Sequence, residues 1–202
     1  MGSAYRSPKK KLNVIYWYLA EGSVTEPLYI DFIRDILRRA GAGVLIEKIR
    51  TGNGKGKGKT DAKNLLIQAK RFSKKMEKGD HICIICDKDE WPLDDLDNIR
   101  KWAEGDLTYR HVAITDPCFE AWLLLHFEHI AGRDRGKILE ALVAKRVYMD
   151  RGDKEPKMSL FNIDNVRGAI ARARSLEKST GQGFGIAQLI DEWFTYIKNA
   201  DC

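Results

Sequence analysis

Hydrophobic residues along the first two thirds of the chain follow two alternating patterns. Unbroken apolar runs rich in β-branched and aromatic residues predict buried strands, and apolar residues three or four positions apart predict helices. The predicted strands cover residues 13–20, 44–49, 81–86 and 109–115. The predicted helices cover residues 25–40, 61–78, 93–102 and 119–127. This alternation predicts an α/β core with a mostly parallel central sheet flanked by helices. Thr25 is expected to cap the first helix.

After Ile130 the strand pattern stops and helical spacing alone remains. Helices are predicted over residues 137–144, 166–176 and 186–197. We therefore expect a helical C-terminal part that packs on the sheet. The expected organisation is a flexible basic tail (1–11), an α/β core (12–130) and a helical extension (131–202), which together form one compact unit.

The charge balance narrows the range of partners. The sequence holds 35 Lys and Arg against 29 Asp and Glu, a formal net charge of +6. Moderate positive charge favours partners that carry phosphate, such as nucleic acid, although many unrelated domains share it. No apolar stretch approaches the roughly 18 residues of a membrane-spanning helix, and the basic N-terminus lacks the apolar segment of a signal peptide. We expect a cytoplasmic protein with no membrane partner.

Two of the four cysteines, Cys83 and Cys86, fall inside a predicted core strand. Their spacing matches half of a zinc site, but no second pair of Cys or His residues at such a spacing follows. Reduced thiols are therefore expected rather than a zinc site or a disulfide framework.

Three carboxylates follow predicted strands. Glu21 ends the first strand, and Asp87 and Asp89 end the third. Because the carboxyl ends of parallel strands meet at one edge of a sheet, these acids are expected to converge. Asp87 and Asp89 are two positions apart, so in extended backbone they point the same way. Carboxylate oxygens are the ligands of Mg²⁺ or Mn²⁺, and such an ion supports phosphodiester cleavage. The competing interpretation is that each acid is a solvated turn residue or a helix cap.

The order of three motifs is similar to that of the RloB family, a branch of the Toprim-like nucleases. The motifs are Glu21-Gly22-x-x-Thr25-Glu26-x-x-Tyr29, then Asp87-x-Asp89-x-Trp91, then Pro117-Cys118-Phe119-Glu120-x-Trp122-x-Leu124-Leu125-His126-Phe127. They cover most of the chain up to about residue 130. The resemblance implies a Toprim core and a role in bacterial anti-phage defence. It also implies a partner ATPase of the ABC or AAA type, as in two-component abortive-infection systems.

Carried over by position, the resemblance makes Glu21, Asp87 and Asp89 the principal metal ligands. Glu26 corresponds to the second acid of the first motif, and Glu120 is a candidate ligand of a second ion. Two features depart from the family pattern. Asp116 stands where related chains more often have Ser or Asn, so a further carboxylate is expected in or beside the site. The segment 180–185 replaces an expected Asn-Pro-x-Thr type segment.

A glycine- and lysine-rich loop covers residues 51–60. Gly58-Lys59-Thr60 resembles the end of a P-loop, but Asn53 stands where that motif needs its first glycine, which argues against nucleotide hydrolysis. Two alternatives stay open. Either Lys55, Lys57 and Lys59 contact nucleic-acid phosphates, or the loop is merely solvated.

Three further residues are candidates for a chemical role. His126 lies in an apolar stripe, where a buried, hydrogen-bonded histidine is more usual than a catalytic base. A metal nuclease usually needs a cation near the scissile phosphate. Lys88, the cation closest in sequence to the paired aspartates, is therefore a candidate nucleic-acid contact, although in extended backbone it points away from them. Lys157 is a more distant alternative that sequence does not place.

The leading hypothesis is a metal-dependent nuclease that cleaves DNA or RNA, tRNA included. The alternative is a non-catalytic subunit that binds nucleic acid or the ATPase. Chemistry of the topoisomerase kind is disfavoured because no tyrosine is marked as a nucleophile. The sequence leaves the oligomeric state open, a homo-oligomer included.

Overall fold

The computed structural model describes residues 14–50, 61–88 and 91–197. It confirms the predicted α/β class, with an all-parallel sheet of four strands in the order β2-β1-β3-β4. The strands are β1 Val14–Ala20, β2 Val44–Lys48, β3 His81–Asp87 and β4 Arg110–Thr115. The basic tail, the loop 51–60 and Asp89 lie outside the described residues.

The helices follow the predicted order. They are α1 Thr25–Arg39, α2 Ala62–Ser73, α3 Leu93–Glu104, α4 Phe119–Leu125, α5 Arg135–Ala144, α6 Ile163–Thr180 and α7 Gly185–Phe194, with a short 3-10 helix at Met158–Leu160. Helix α2 ends five residues before its predicted end, because the polar residues after Ser73 turn toward Gly79, which has a φ of 98°.

The predicted cap of α1 was wrong. Val24 is the N-cap residue, and Thr25 is the first residue of the helix. The Thr25 hydroxyl instead donates a hydrogen bond of 2.8 Å to the carbonyl oxygen of Lys154. The segment before the 3-10 helix is thereby attached to the start of α1.

Each face of the sheet has its own hydrophobic core. Helix α1 and helices α4 to α7 cover the first face, and α2 and α3 cover the second. Side chains alternate between faces along a strand, so Cys83 packs in the first core and Cys86 in the second. The two thiols are free, and burial raises the pKa of both. Because they point to opposite faces, they cannot bind one ion together.

The segment 180–185 joins the helical C-terminal part to the edge strand β4. The amide of Asp116 donates to the carbonyl oxygen of Gly183 at 3.2 Å, and the Gln182 side chain donates to the carbonyl oxygen of Asp116 at 2.7 Å. At Gly185 a Cβ atom would lie 2.7 Å from the Cα of Ala113, so a side chain at this position would force the two backbones apart. The segment that departs from the family pattern therefore packs closely against the backbone of β4 and Asp116.

No helix among the described residues has the length and apolar character that a membrane crossing requires.

His126 is buried in the first core, with 2% of its surface exposed. Its Nδ1 atom lies 3.0 Å from the carbonyl oxygen of Trp122, which only accepts, so Nδ1 carries the proton. Its Nε2 atom therefore accepts from the Tyr29 hydroxyl at 2.9 Å. Burial lowers the pKa of His126 to about 3. Both ring nitrogens thus hold the neutral imidazole in the core.

This burial predicts a pH-dependent loss of stability. The folded state holds His126 neutral with a pKa of about 3, whereas an unfolded histidine titrates near 6.5. The unfolded chain therefore binds the extra proton, and the free energy of unfolding should fall by up to about 1.4 kcal/mol per pH unit below 6.5. Urea denaturation between pH 7 and pH 5 should show this slope. The slope should be smaller in His126→Gln but unchanged in His129→Gln, whose parent side chain is exposed. Equal slopes in wild type and His126→Gln would contradict the assignment.

Candidate metal centre

The strand order creates a crevice at the carboxyl edge of the sheet. The chain leaves β1 through α1 toward β2 on one side, and it leaves β3 through α3 toward β4 on the other. Helices α1 and α3 pack on opposite faces. Adjacent strands whose connections diverge in this way form a switch point, where α/β proteins bind ligands.

Glu21 and Asp87 meet at this crevice. The Oε2 atom of Glu21 accepts a hydrogen bond of 3.2 Å from the backbone amide of Asp87. The same oxygen accepts a 2.6 Å hydrogen bond from the indole nitrogen of Trp91. Only 7% of Glu21 and 8% of Asp87 are exposed. The two strand-end acids that the sequence singled out are therefore neighbours across β1 and β3, and Trp91 fixes the carboxylate of the first.

Glu26 lies in the first turn of α1 and folds back toward the end of β1. Its Oε1 atom accepts a 2.9 Å hydrogen bond from the amide of Gly22. A Cβ atom at position 22 would lie 1.9 Å from the Oε2 atom of Glu26, so glycine is what allows this approach. Burial raises the pKa of Glu26, and the charge of Glu120 raises it further.

Glu120 brings a further carboxylate from the first turn of α4. Among the described residues, its buried Oε2 atom accepts no hydrogen bond. The same oxygen lies 3.9 Å from the Arg135 guanidinium, beyond hydrogen-bonding distance. A buried carboxylate oxygen left without a hydrogen bond is costly, and a hard divalent cation is a suitable partner for it.

The negative charge of this region contributes to the raised pKa values of two neighbouring thiols. Burial is the main cause of the raised pKa of Cys118, and the charges of Glu120 and Asp87 add to it. Burial likewise dominates at Cys86, where the charges of Glu21 and Asp87 contribute. Carboxylates from β1, β3, α1 and α4 thus influence one region, and this donor set fits Mg²⁺ or Mn²⁺.

Lys88 and Asp116 form an ion pair beside the crevice. The ammonium group of Lys88 lies 2.6 Å from the carboxylate of Asp116. The amide of Lys88 also donates to the carbonyl oxygens of Thr115 and Pro117, at 3.0 and 3.2 Å. The additional acid at position 116 is therefore engaged by the lysine that follows β3.

The remaining sequence candidates lie elsewhere. Lys157 is exposed, and its amide donates to the carbonyl oxygen of Val147. His126 lies in the first core with both nitrogens hydrogen-bonded. Lys55, Lys57 and Lys59 lie outside the described residues, as does Asp89.

A second group of ligand-type side chains, absent from the sequence-based candidates, lies at the opposite end of the sheet. His81, His111 and Glu192 each bring one ligand atom to within 4.8 Å of the others, so the group could hold a metal ion. No three carboxylates of the described carboxyl edge converge this closely. The only sign of this group in the sequence is a histidine near the start of each of two predicted strands. Sequence patterns alone do not show that these strands pair or that Glu192 of α7 lies against them.

The chain belongs to the RloB family. The family model described as RloB-like protein matches residues 17–188, from within β1 to the first turn of α7. The match confirms the resemblance that the motifs around Glu21, Asp87 and Glu120 carried. Searches of curated proteins and of solved structures find no match.

The buried state of Glu26 predicts a stabilising substitution. Its raised pKa means that the folded chain binds a proton more tightly than the unfolded chain. The contribution of Glu26 to the free energy of unfolding is therefore greatest below the ordinary pKa of glutamate. It falls as the pH rises toward the raised pKa, by up to about 1.4 kcal/mol per pH unit. Glu26→Gln retains an acceptor for the Gly22 amide and should unfold at a higher temperature than wild type at pH 7 in a chelator. Exposed Glu47→Gln should behave as wild type; an equal melting temperature for Glu26→Gln and wild type from pH 4 to pH 8 would refute the argument.

Proposed function

We propose that this chain is a metal-dependent nuclease of the Toprim class that cleaves DNA or RNA, tRNA included, as the effector of a bacterial anti-phage defence system. The observation that carries the proposal is the contact of Glu21 with the backbone of Asp87 at the switch point of the sheet. Membership of the RloB family supports the same chemistry.

The metal ligands in this proposal are Glu21, Asp87 and Asp89, with Mg²⁺ or Mn²⁺ as the ion. Glu26 and Glu120 are further candidate ligands. Glu120 is the candidate for a second ion, because its buried Oε2 atom accepts no hydrogen bond from the described residues. A divalent ion held there would supply an activated water and stabilise the leaving oxygen of a phosphodiester.

Within the proposed site the side chains have separate tasks. The indole of Trp91 and the amide of Asp87 orient one oxygen of Glu21, so Trp91 acts as a positioning residue. Glu21 then acts as a ligand or as a general acid and base. Lys88, whose ammonium group lies 2.6 Å from the carboxylate of Asp116, is proposed to contact a nucleic-acid phosphate.

The proposed partners follow from charge and family. A net charge of +6 suits association with nucleic acid, and Lys55, Lys57 and Lys59 are proposed to meet phosphates without reading sequence. An ABC-type or AAA ATPase encoded alongside is proposed to control the nuclease.

Cleavage assays test the nuclease proposal. Purified protein, with and without the ATPase, is incubated with DNA, RNA and tRNA in Mg²⁺ or Mn²⁺. We expect cleavage that falls about a hundredfold or more in Glu21→Gln and in Asp87→Asn, because each removes a ligand charge or a proton-transfer group. Trp91→Phe should reduce the rate less, since it removes only the hydrogen bond that orients Glu21.

The matched control is Asp97→Asn, an exposed helical aspartate paired with Arg100, which should cleave at the wild-type rate. Melting temperatures of all variants separate lost chemistry from lost folding. Intact substrates under every condition with the ATPase present would contradict nuclease activity and favour the non-catalytic binding subunit. Full activity in folded Asp87→Asn would remove the proposed site.

A further inference from the structure

The amino end of the sheet assembles two imidazoles and a carboxylate from three elements. His81 is the first residue of β3, His111 is the second residue of β4, and Glu192 lies in α7. In the pairing of β3 with β4, His111 stands opposite Cys83, two positions beyond His81. Positions 81 and 83 share a face, and that face is the one covered by α7. The fold therefore directs all three side chains into one place.

One ligand atom from each of the three side chains lies within 4.8 Å of the other two. The Nδ1 atom of His81 lies 2.8 Å from the Nε2 atom of His111. The Nδ1 atom of His111 lies 3.4 Å from the Oε2 atom of Glu192. These two contacts use different nitrogens of His111, and one ion binds only one of them. Two ligands on a tetrahedral ion with bonds of 2.0–2.1 Å are about 3.3 Å apart, so the three ligand atoms, which lie within 4.8 Å of one another, must move closer by rotation of their side chains.

The neighbouring side chain of Tyr16 contacts both His81 and Glu192. The ring of Tyr16 stacks on His81 with 4.2 Å between centroids and 20° between planes. The Tyr16 hydroxyl donates a 2.5 Å hydrogen bond to the Oε1 atom of Glu192. Tyr16 therefore orients both a histidine and the carboxylate, in the way that an outer partner orients a metal ligand.

The protonation states also suit a metal. Burial lowers the pKa of His81 and of His111. Both imidazoles are therefore neutral at pH 7, and the neutral ring is the form that binds an ion. One proton is shared between the two facing nitrogens, and a bound ion would displace it.

An open cleft reaches the group from solvent. It has a volume of about 290 Å³, and His111 and Glu192 are part of its lining. Such a cleft provides an entry path for an ion and room for a water or a small ligand at a fourth position.

We propose that His81, His111 and Glu192 form a binding site for a borderline divalent transition metal of the zinc type, separate from the carboxyl edge. Two nitrogens and one carboxylate oxygen with an open fourth position are a ligand set for zinc rather than for Mg²⁺. The site lies at the other end of β3 from Asp87, about 20 Å away for six residues of strand. It therefore stands whether or not the nuclease proposal holds.

Metal binding by the tag-free full chain tests this site. Calorimetric titration with Zn²⁺ should give one ion bound at the amino end, and Co²⁺ should develop the visible absorption of a four-coordinate ion. His111→Gln and Glu192→Gln should each weaken binding about tenfold or more, and Zn²⁺ should raise the melting temperature of wild type but not of these variants.

Two controls separate this site from others. His129→Gln removes an exposed histidine away from the cluster and should bind as wild type. Asp87→Asn should also bind as wild type, because it alters only the carboxyl edge. Glu192→Gln retains an acceptor for Tyr16 on a partly exposed side chain, so it serves if His111→Gln fails to fold. Absence of Zn²⁺ binding, or binding lost in Asp87→Asn and kept in Glu192→Gln, would overturn the proposal.

Discussion

The hydrogen bond from the amide of Asp87 to the carboxylate of Glu21 ties the two central strands together at their carboxyl ends. It forms because β1 and β3 are parallel neighbours, in a register that sets Ala20 against Ile85. The same carboxylate receives the indole of Trp91 and so fixes the segment that follows β3. Both partners of this carboxylate come from the segment at the end of β3, far from Glu21 in the sequence, so the candidate site exists only once the sheet has formed.

The sheet itself depends on being covered on both faces. Strand β3 is buried at nearly every position, which requires helices on each side, since an exposed face would leave its apolar residues in water. One layer comes from the C-terminal helices, joined to β4 where Gly185 lies against the backbone of Ala113. The helical part therefore completes the first core and carries Glu192 to the sheet.

Strand β3 separates two kinds of ligand chemistry. Its carboxyl end lies beside the carboxylates of Glu21, α1 and α4, whose oxygen atoms suit hard cations. Its amino end places His81 beside His111 and Glu192, with nitrogen donors that suit softer ions. The central strand keeps the two groups about 20 Å apart, so they share no ligand.

The sequence by itself determined the order of strands and helices, the parallel sheet and the family, because hydrophobic periodicity and the motifs around Glu21 and Asp87 are local signals. It also placed both acids at the carboxyl edge, since that follows from parallel strands. Only the tertiary structure decided that Trp91 holds Glu21, that Lys88 pairs with Asp116, and that His111 meets Glu192. These contacts depend on strand register and on the docking of α7, which arise from packing between distant segments.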